Sequence, residues 1–84
     1  MESKIRDQMM ALLDEKLQRL AIRESEITGD FDLVKSGFLN SLEFVDMVAT
    51  LEKMNQVEID FEAGLNSGDF TTVSGLIRTF SGKL

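Results

Sequence analysis

The chain has 84 residues, of which 43% are hydrophobic and 29% are charged, a balance typical of one small globular domain rather than a disordered segment. Its net charge of −6 argues against nucleic acid, whose phosphates require a basic surface, and favours soluble partners with basic patches. It contains no Cys and no His, so it lacks thiolate chemistry and the commonest general base and metal ligand. We therefore expect no catalytic residue and no enzyme activity.

The first predicted element is a helix over residues 2–20. Its apolar side chains recur at helical spacing and predict a buried stripe made of Ile5, Met9, Met10, Leu12, Leu13, Leu17 and Leu20. Arg6 and Lys16 fall within this stripe, where their stems can pack while their charged ends reach water.

Residues 21–40 are predicted to form a long loop, punctuated by Gly29 and Gly37. Irregular segments of this length inside a small domain are typically functional. Five apolar residues predict that the loop packs on the core instead of extending into solvent: Ile27, Phe31, Leu33, Phe38 and Leu39.

A second helix is predicted to begin after Asn40, a good N-cap, with Glu43 three residues later as a capping-box partner, and to run to about Met54. At roughly 100° per residue, its core-facing stripe consists of Phe44, Met47, Val48, Leu51 and Met54. An apolar strip (Leu42, Val45 and Ala49) remains on another face, with an acidic border (Glu43, Asp46 and Glu52). Such a surface is typical of docking sites if it is exposed. Periodicity leaves open the alternative, a central helix buried on all sides.

The rest of the chain is predicted to hold one short helix and one longer helix. Residues 56–70 are broken by Gly64 and Gly68 and leave room for a single short helix. The last helix should begin with Thr71 or Thr72 as its N-cap, end at Gly82, and bury Val73, Leu76, Ile77 and Phe80. The expected fold is an all-α four-helix bundle with a long first crossover and a short third helix, in one domain over residues 1–84.

Ser41 is the first residue of the predicted second helix and has two interpretations. Serine at a helix start commonly caps the helix, so its hydroxyl could supplement Asn40. Alternatively, the hydroxyl is displayed for modification, since a phosphodiester there would lie against unpaired N–H groups and the positive end of the helix dipole. Capping is the commoner role, and position alone does not exclude modification.

Residues 32–42, with the sequence DLVKSGFLNSL, resemble the phosphopantetheine attachment motif of acyl and peptidyl carrier proteins. In that motif a loop ending in Gly is followed by one or two residues and then by Asp-Ser-Leu at the start of the second helix. Gly37 matches the Gly, and Ser41-Leu42 matches the Ser-Leu. Three further segments resemble the family in the same order: its acidic and apolar second helix (43–52), the segment before its third helix (57–60) and the start of its fourth helix (71–73).

The resemblance implies a carrier in which Ser41 accepts 4′-phosphopantetheine from coenzyme A through a separate phosphopantetheinyl transferase. The thiol of that arm would hold acyl or aminoacyl groups as thioesters. A loading ligase or transferase would supply them, and synthases or transferases of fatty acid, polyketide, nonribosomal peptide or related biosynthesis would receive them. It also implies that partners bind Leu42, Glu43, Val45, Asp46, Ala49 and Glu52. A borrowed thiol would explain how a chain without Cys or His carries a reactive group.

The expected setting is a cytoplasmic monomer with no membrane span. Apolar runs in the sequence are short and interrupted by charge, so none is predicted to cross a bilayer. Residues 1–10 lack the apolar core of a signal peptide.

Two positions depart from the family pattern. Asn40 stands where the family has Asp, which helps to organise the metal and coenzyme A during transfer of the arm. We therefore expect slow modification by a generic transferase, or a dedicated one, and an unmodified carrier-like docking subunit is the alternative. Ile59-Asp60 replaces the usual Ile-Pro, which should loosen the local backbone only slightly.

A calcium-binding loop is a further alternative. Counting from Asp32 as position 1 of an EF-hand loop places Gly37 at position 6 and Glu43 at position 12, as that motif requires. Position 3 is Val34, however, which has no oxygen to offer a cation, and Gly29-Asp30 interrupts the entering helix. We therefore expect no metal site.

Overall fold

The computed structural model describes residues 2–66 and 68–83. Over these ranges the chain forms four α-helices and one short 3₁₀ helix: α1 (Glu2–Arg19), the 3₁₀ helix (Glu24–Glu26), α2 (Ser41–Asn55), α3 (Phe61–Asn66) and α4 (Val73–Ser81). The predicted all-α, four-helix architecture with a long first crossover and a short third helix is confirmed. None of the described helices combines the length and apolar character needed to cross a bilayer.

The core is apolar and draws on α1, the first crossover, α2 and α4, together with Ile59 and Phe70 on either side of α3. Its fully buried side chains include Ile5 and Met9 from α1, Val48 and Leu51 from α2, and Phe80 from α4. No polar or charged residue is buried in the described part of the chain. Burial of apolar surface is therefore the main force that holds the helices together.

Three residues predicted to face the core are exposed instead: Leu12 by 40%, Leu20 by 50% and Met54 by 46%. Leu12 lies at the edge of the α1 stripe, and Met54 lies at the edge of the α2 stripe in its last turn. Leu20 follows the end of α1, so helical periodicity no longer sets its direction. Ile77, predicted to be buried on α4, is only partly buried.

The first crossover packs on the core, as its apolar residues predicted. Ile27, Leu33, Phe38 and Leu39 are buried, and Phe31 packs partly buried with its ring edge-on to that of Phe38 at a centroid distance of 5.8 Å. The long loop is therefore an ordered layer over the helices.

The crossover is also tied to the start of α4 by backbone pairing. The N–H of Leu33 donates to the carbonyl of Thr71 at 2.8 Å, and the N–H of Val73 donates to the carbonyl of Phe31 at 3.0 Å. An isolated antiparallel bridge joins Asp32 to Thr72. These contacts supply partners for backbone groups that helices alone would leave unpaired.

The N-terminal ends of α3 and α4 have side-chain caps. Thr72, one of the two predicted N-caps of α4, accepts a hydrogen bond from the N–H of Gly75 at 3.0 Å, and Gly82 ends the helix as predicted. Before α3, the Asp60 carboxylate accepts from the N–H of Ala63 at 3.1 Å. Asp60 thus stabilises the start of the short third helix.

Candidate functional site

The start of α2 is fixed by a reciprocal capping box. The Asn40 side-chain oxygen accepts from the N–H of Glu43 at 2.8 Å, and Glu43 Oε1 accepts from the N–H of Asn40 at 2.9 Å. Asn40 has extended backbone angles, φ −81° and ψ 173°, as an N-cap requires. The predicted cap and its partner are both confirmed.

Ser41 is the first helical residue, and its side chain is exposed. Its hydroxyl makes no hydrogen bond with any residue that the structure describes. The interpretation of Ser41 as a second capping hydroxyl is therefore wrong, because Asn40 alone supplies the side-chain cap. The hydroxyl is left accessible to a reaction partner.

Two apolar residues shortly before Ser41 are buried in the core, whereas Ser41 and Leu42 are exposed to solvent. Phe38 and Leu39 are 6% and 4% exposed, and Leu42 is 70% exposed. Since the first N–H groups of a helix lack intrahelical partners, this end carries partial positive charge. An exposed hydroxyl at such a position fits a phosphodiester, whose negative charge the helix start stabilises.

The apolar strip is exposed on the outer face of α2. Leu42 is 70% exposed, Val45 is 44% exposed and Ala49 is partly exposed. The alternative of a helix buried on all sides is therefore excluded. An open groove of about 780 Å³ continues the strip from Ala49 towards Val57 and Phe61. Binding of a partner to this surface stays a prediction.

The three carboxylates of the acidic border are not equivalent. Glu43 belongs to the capping box and also pairs with Lys16 of α1 at 3.0 Å. Glu52 Oε2 accepts from the N–H of Ile59 at 2.7 Å, so it holds the segment that leads into α3. Asp46 is exposed, and its carboxylate has no partner in the described ranges. Asp46 is therefore the border residue whose charge is most available to another protein.

The electrostatic surroundings of Glu43 favour its charged form. The N–H of Asn40 that donates to the carboxylate, followed by the Lys16 ammonium, lowers the pKa of Glu43 below its ordinary value of 4.5, while desolvation opposes this. The Arg19 charge acts in the same direction as Lys16. The capping box consequently keeps its charged acceptor to lower pH than an isolated glutamate would allow.

Sequence reasoning assigned Lys16 only a packing role in α1, and the structure adds its contact with the site. Lys16 Nζ lies 3.0 Å from both carboxylate oxygens of Glu43 and 5.5 Å from the centre of the Phe38 ring. No local spacing signals this pair, because its members lie on different helices.

Asp32, the first residue of the candidate calcium loop, already uses both carboxylate oxygens within the fold. Oδ1 accepts from the N–H groups of Val34 at 3.0 Å and Lys35 at 2.7 Å, and Oδ2 accepts from the Thr71 hydroxyl at 2.9 Å. The described residues contain no group of three or more Asp, Glu, His or Cys side chains that could hold a metal ion. The Asp32 carboxylate therefore joins the crossover to Thr71, two residues before α4 begins.

Comparisons with protein-family models, curated proteins and solved structures found no match to this chain.

Proposed function

We propose that this chain is a carrier protein that holds acyl or aminoacyl groups as thioesters on a 4′-phosphopantetheine arm attached to Ser41. The observation that carries the proposal is the exposed Ser41 hydroxyl without a hydrogen-bond partner among the described residues, at the first position of a capped helix. Ser41 is also the residue to which the resemblance to carrier proteins assigns the attachment of the arm. The proposed role is transport of a bound group between enzymes, without catalysis by the chain itself.

Attachment of the arm uses Ser41 as the nucleophile and coenzyme A as the donor. Ser41 Oγ attacks the phosphorus that bears the pantetheine, and a new P–O bond forms as the pyrophosphate P–O bond breaks. Adenosine bisphosphate leaves, and the serine proton passes to a base on the transferase. Asn40 holds the helix start, whose N–H groups then stabilise the phosphodiester. The attached arm supplies the thiol that the chain itself lacks.

The apolar strip and Asp46 are the proposed docking surface for the phosphopantetheinyl transferase, the loading enzyme and the downstream synthases or transferases. Leu42 and Val45 offer apolar contact area, and Asp46 offers an uncompensated negative charge beside them. Partners with basic residues around an apolar centre would complement this surface.

The test is intact-mass spectrometry after incubation with coenzyme A and a broad-specificity phosphopantetheinyl transferase. The expected result is the gain of one phosphopantetheinyl group, abolished by Ser41→Ala. Ser25→Ala is the matched control, because Ser25 is also exposed but lies in the 3₁₀ helix and not at the start of an α-helix. Ser41→Ala should retain the fold, since the Ser41 hydroxyl forms no hydrogen bond with described residues.

Absence of any mass gain with several transferases would overturn the proposal. The unmodified docking subunit would then be the better assignment, because its function needs the apolar strip and not the serine. A mass gain that persists in Ser41→Ala would instead show that the attachment residue is wrong.

A further inference from the structure

Lys16 connects α1 to the residue that precedes Ser41. Its ammonium group lies 3.0 Å from both Oε1 and Oε2 of Glu43. Glu43 Oε1 also accepts the N–H of Asn40 at 2.9 Å. One carboxylate therefore links a side chain of α1 to the backbone of the N-cap, and the N-cap is bonded directly to Ser41.

The Lys16 side chain is held in place by its surroundings. It is 22% exposed, and its ammonium lies 5.5 Å from the centre of the ring of Phe38, which is itself buried. A cation at this distance from an aromatic ring is attracted to it. Lys16 thus contacts both the end of the crossover and the start of α2, the two segments that meet at Ser41.

A second polar link joins the same two helices far from Ser41. Asn55 Nδ2 donates to Gln8 Oε1 at 2.8 Å. Since Lys16 pairs with Glu43 and Gln8 pairs with Asn55, the two helices are antiparallel, and the links lie at opposite ends of their contact. Both links join α1 to α2, but only the Lys16 link contacts the capping box.

We propose, on the basis of the carrier function proposed above, that Lys16 is a positioning residue for the modification of Ser41. Through Glu43 it fixes the Asn40 backbone, and α1 thereby sets the direction in which the helix start presents the serine hydroxyl. Lys16 touches neither coenzyme A nor the reacting atoms in this role. Without the ammonium, the capping box remains but is no longer held against α1, so the nucleophile is less well aligned.

The test compares Lys16→Met, Lys16→Arg and Gln8→Met with the unchanged protein. Methionine keeps an unbranched apolar side chain over Phe38 and removes the charge, whereas arginine restores a cation that can pair with a carboxylate through two hydrogen bonds. Gln8→Met removes the other polar link between α1 and α2 and serves as the matched control. Thermal melts establish that each variant is folded before its modification is measured.

We expect Lys16→Met to lower kcat for transfer of the arm by about tenfold, since small misplacement of a nucleophile has effects of this order. KM for the carrier should change little, because Lys16 lies outside the apolar strip. Lys16→Arg should recover most of kcat, and Gln8→Met should retain it. Amide hydrogen exchange gives a readout without the transferase: the Asn40 N–H should exchange faster in Lys16→Met and remain unchanged in Gln8→Met.

Several results would overturn the positioning role. Normal kcat in Lys16→Met, an equal loss in Gln8→Met, or an unchanged Asn40 exchange rate would each do so while leaving the carrier function intact. A rise in KM with unchanged kcat would assign Lys16 to transferase contact instead. Failure of the unchanged protein to accept the arm would overturn the carrier function and the positioning role together.

Discussion

At the scale of single residues, Asn40 stands where the carrier proteins that the chain resembles have an aspartate with two roles, and it keeps only one of them. Its side chain caps α2 by accepting from the N–H of Glu43. The second property, a carboxylate beside the reacting hydroxyl, is absent in an amide. The structure thus separates the capping role, which Asn40 fulfils, from the proposed role in transfer of the arm.

Asn40→Asp should accelerate modification by a generic transferase and leave stability nearly unchanged. The carboxylate is restored next to the hydroxyl and the metal of the transferase, and Asn and Asp cap helices about equally well. Modification rates and urea melts measure the two effects. Asn40→Ala is the control for capping and should cost about 1 kcal/mol in the free energy of unfolding. Equal rates for Asn and Asp would contradict the expected effect of Asn40 on modification.

Val45→Asp should abolish or strongly weaken partner binding while the protein stays folded. Val45 is 44% exposed, so a carboxylate there remains hydrated, but it would introduce charge into the desolvated centre of a docked complex. The matched control is Val48→Asp on the same helix, since Val48 is 0% exposed and a buried unpaired charge costs several kcal/mol. Thermal melts and measurements of transferase binding distinguish the Val45→Asp variant from the Val48→Asp variant. An unfolded Val45→Asp protein would show that the apolar strip belongs to the core.

At the scale of elements, the Asp32 carboxylate joins the crossover to Thr71, just before α4 begins. Burial raises the pKa of Asp32, but hydrogen bonds from the Lys35 N–H, the Thr71 hydroxyl and the Val34 N–H, together with the Lys35 charge, outweigh burial and lower this pKa below 3.8. The folded state therefore prefers the ionised carboxylate more strongly than the unfolded state does.

The Asp32 contribution to stability should be present above the unfolded pKa of 3.8 and disappear as the pH falls through the lower folded pKa. Urea melts from about pH 6 down to about pH 2 follow this loss. Asp32→Asn should reduce the acid sensitivity, because the group no longer titrates. Thr71→Val, which removes one hydrogen bond to the carboxylate, should reduce it in part. Identical pH profiles for Asp32→Asn and the unchanged protein would assign the acid sensitivity to other carboxylates.

At the scale of the whole molecule, the net charge of −6 should speed encounter with basic partners. The position of each acidic residue should decide how much it contributes to the association rate. Of the three acidic residues beside the strip, only Asp46 has a carboxylate without a partner among the described residues. Reversing Glu43 would also disrupt the capping box and bring two cations together, so it is a poor test of partner recognition.

Asp46→Lys should slow association with a basic partner by about tenfold at low salt and flatten the salt dependence of the rate. The substitution changes the net charge from −6 to −4, a difference of +2. Asp7→Lys makes the same change on an exposed position of α1 and is the control for net charge alone. Stopped-flow association rates at several salt concentrations provide the measurement. Equal effects of the two reversals would mean that the docking surface does not include Asp46.

The sequence by itself determined the features that depend on neighbours a few residues apart. Helical periodicity located the three longer helices and most of the core, and the three-residue spacing between Asn40 and Glu43 predicted the capping box that the structure confirms. It also placed Ser41 at a helix start, because the cap defines where the helix begins. These features follow from local backbone geometry, so the order of residues is enough to predict them.

Only the tertiary structure decided the features that depend on how separate elements pack. The exposure of Leu12 and Met54 depends on how far neighbouring elements reach around each helix. The pairing of Lys16 with Glu43 joins residues 27 positions apart, and a similar long-range contact ties Asp32 to Thr71. Periodicity describes the faces of one helix but not which face a distant segment covers, because that choice is made when the apolar surfaces of all elements are buried together.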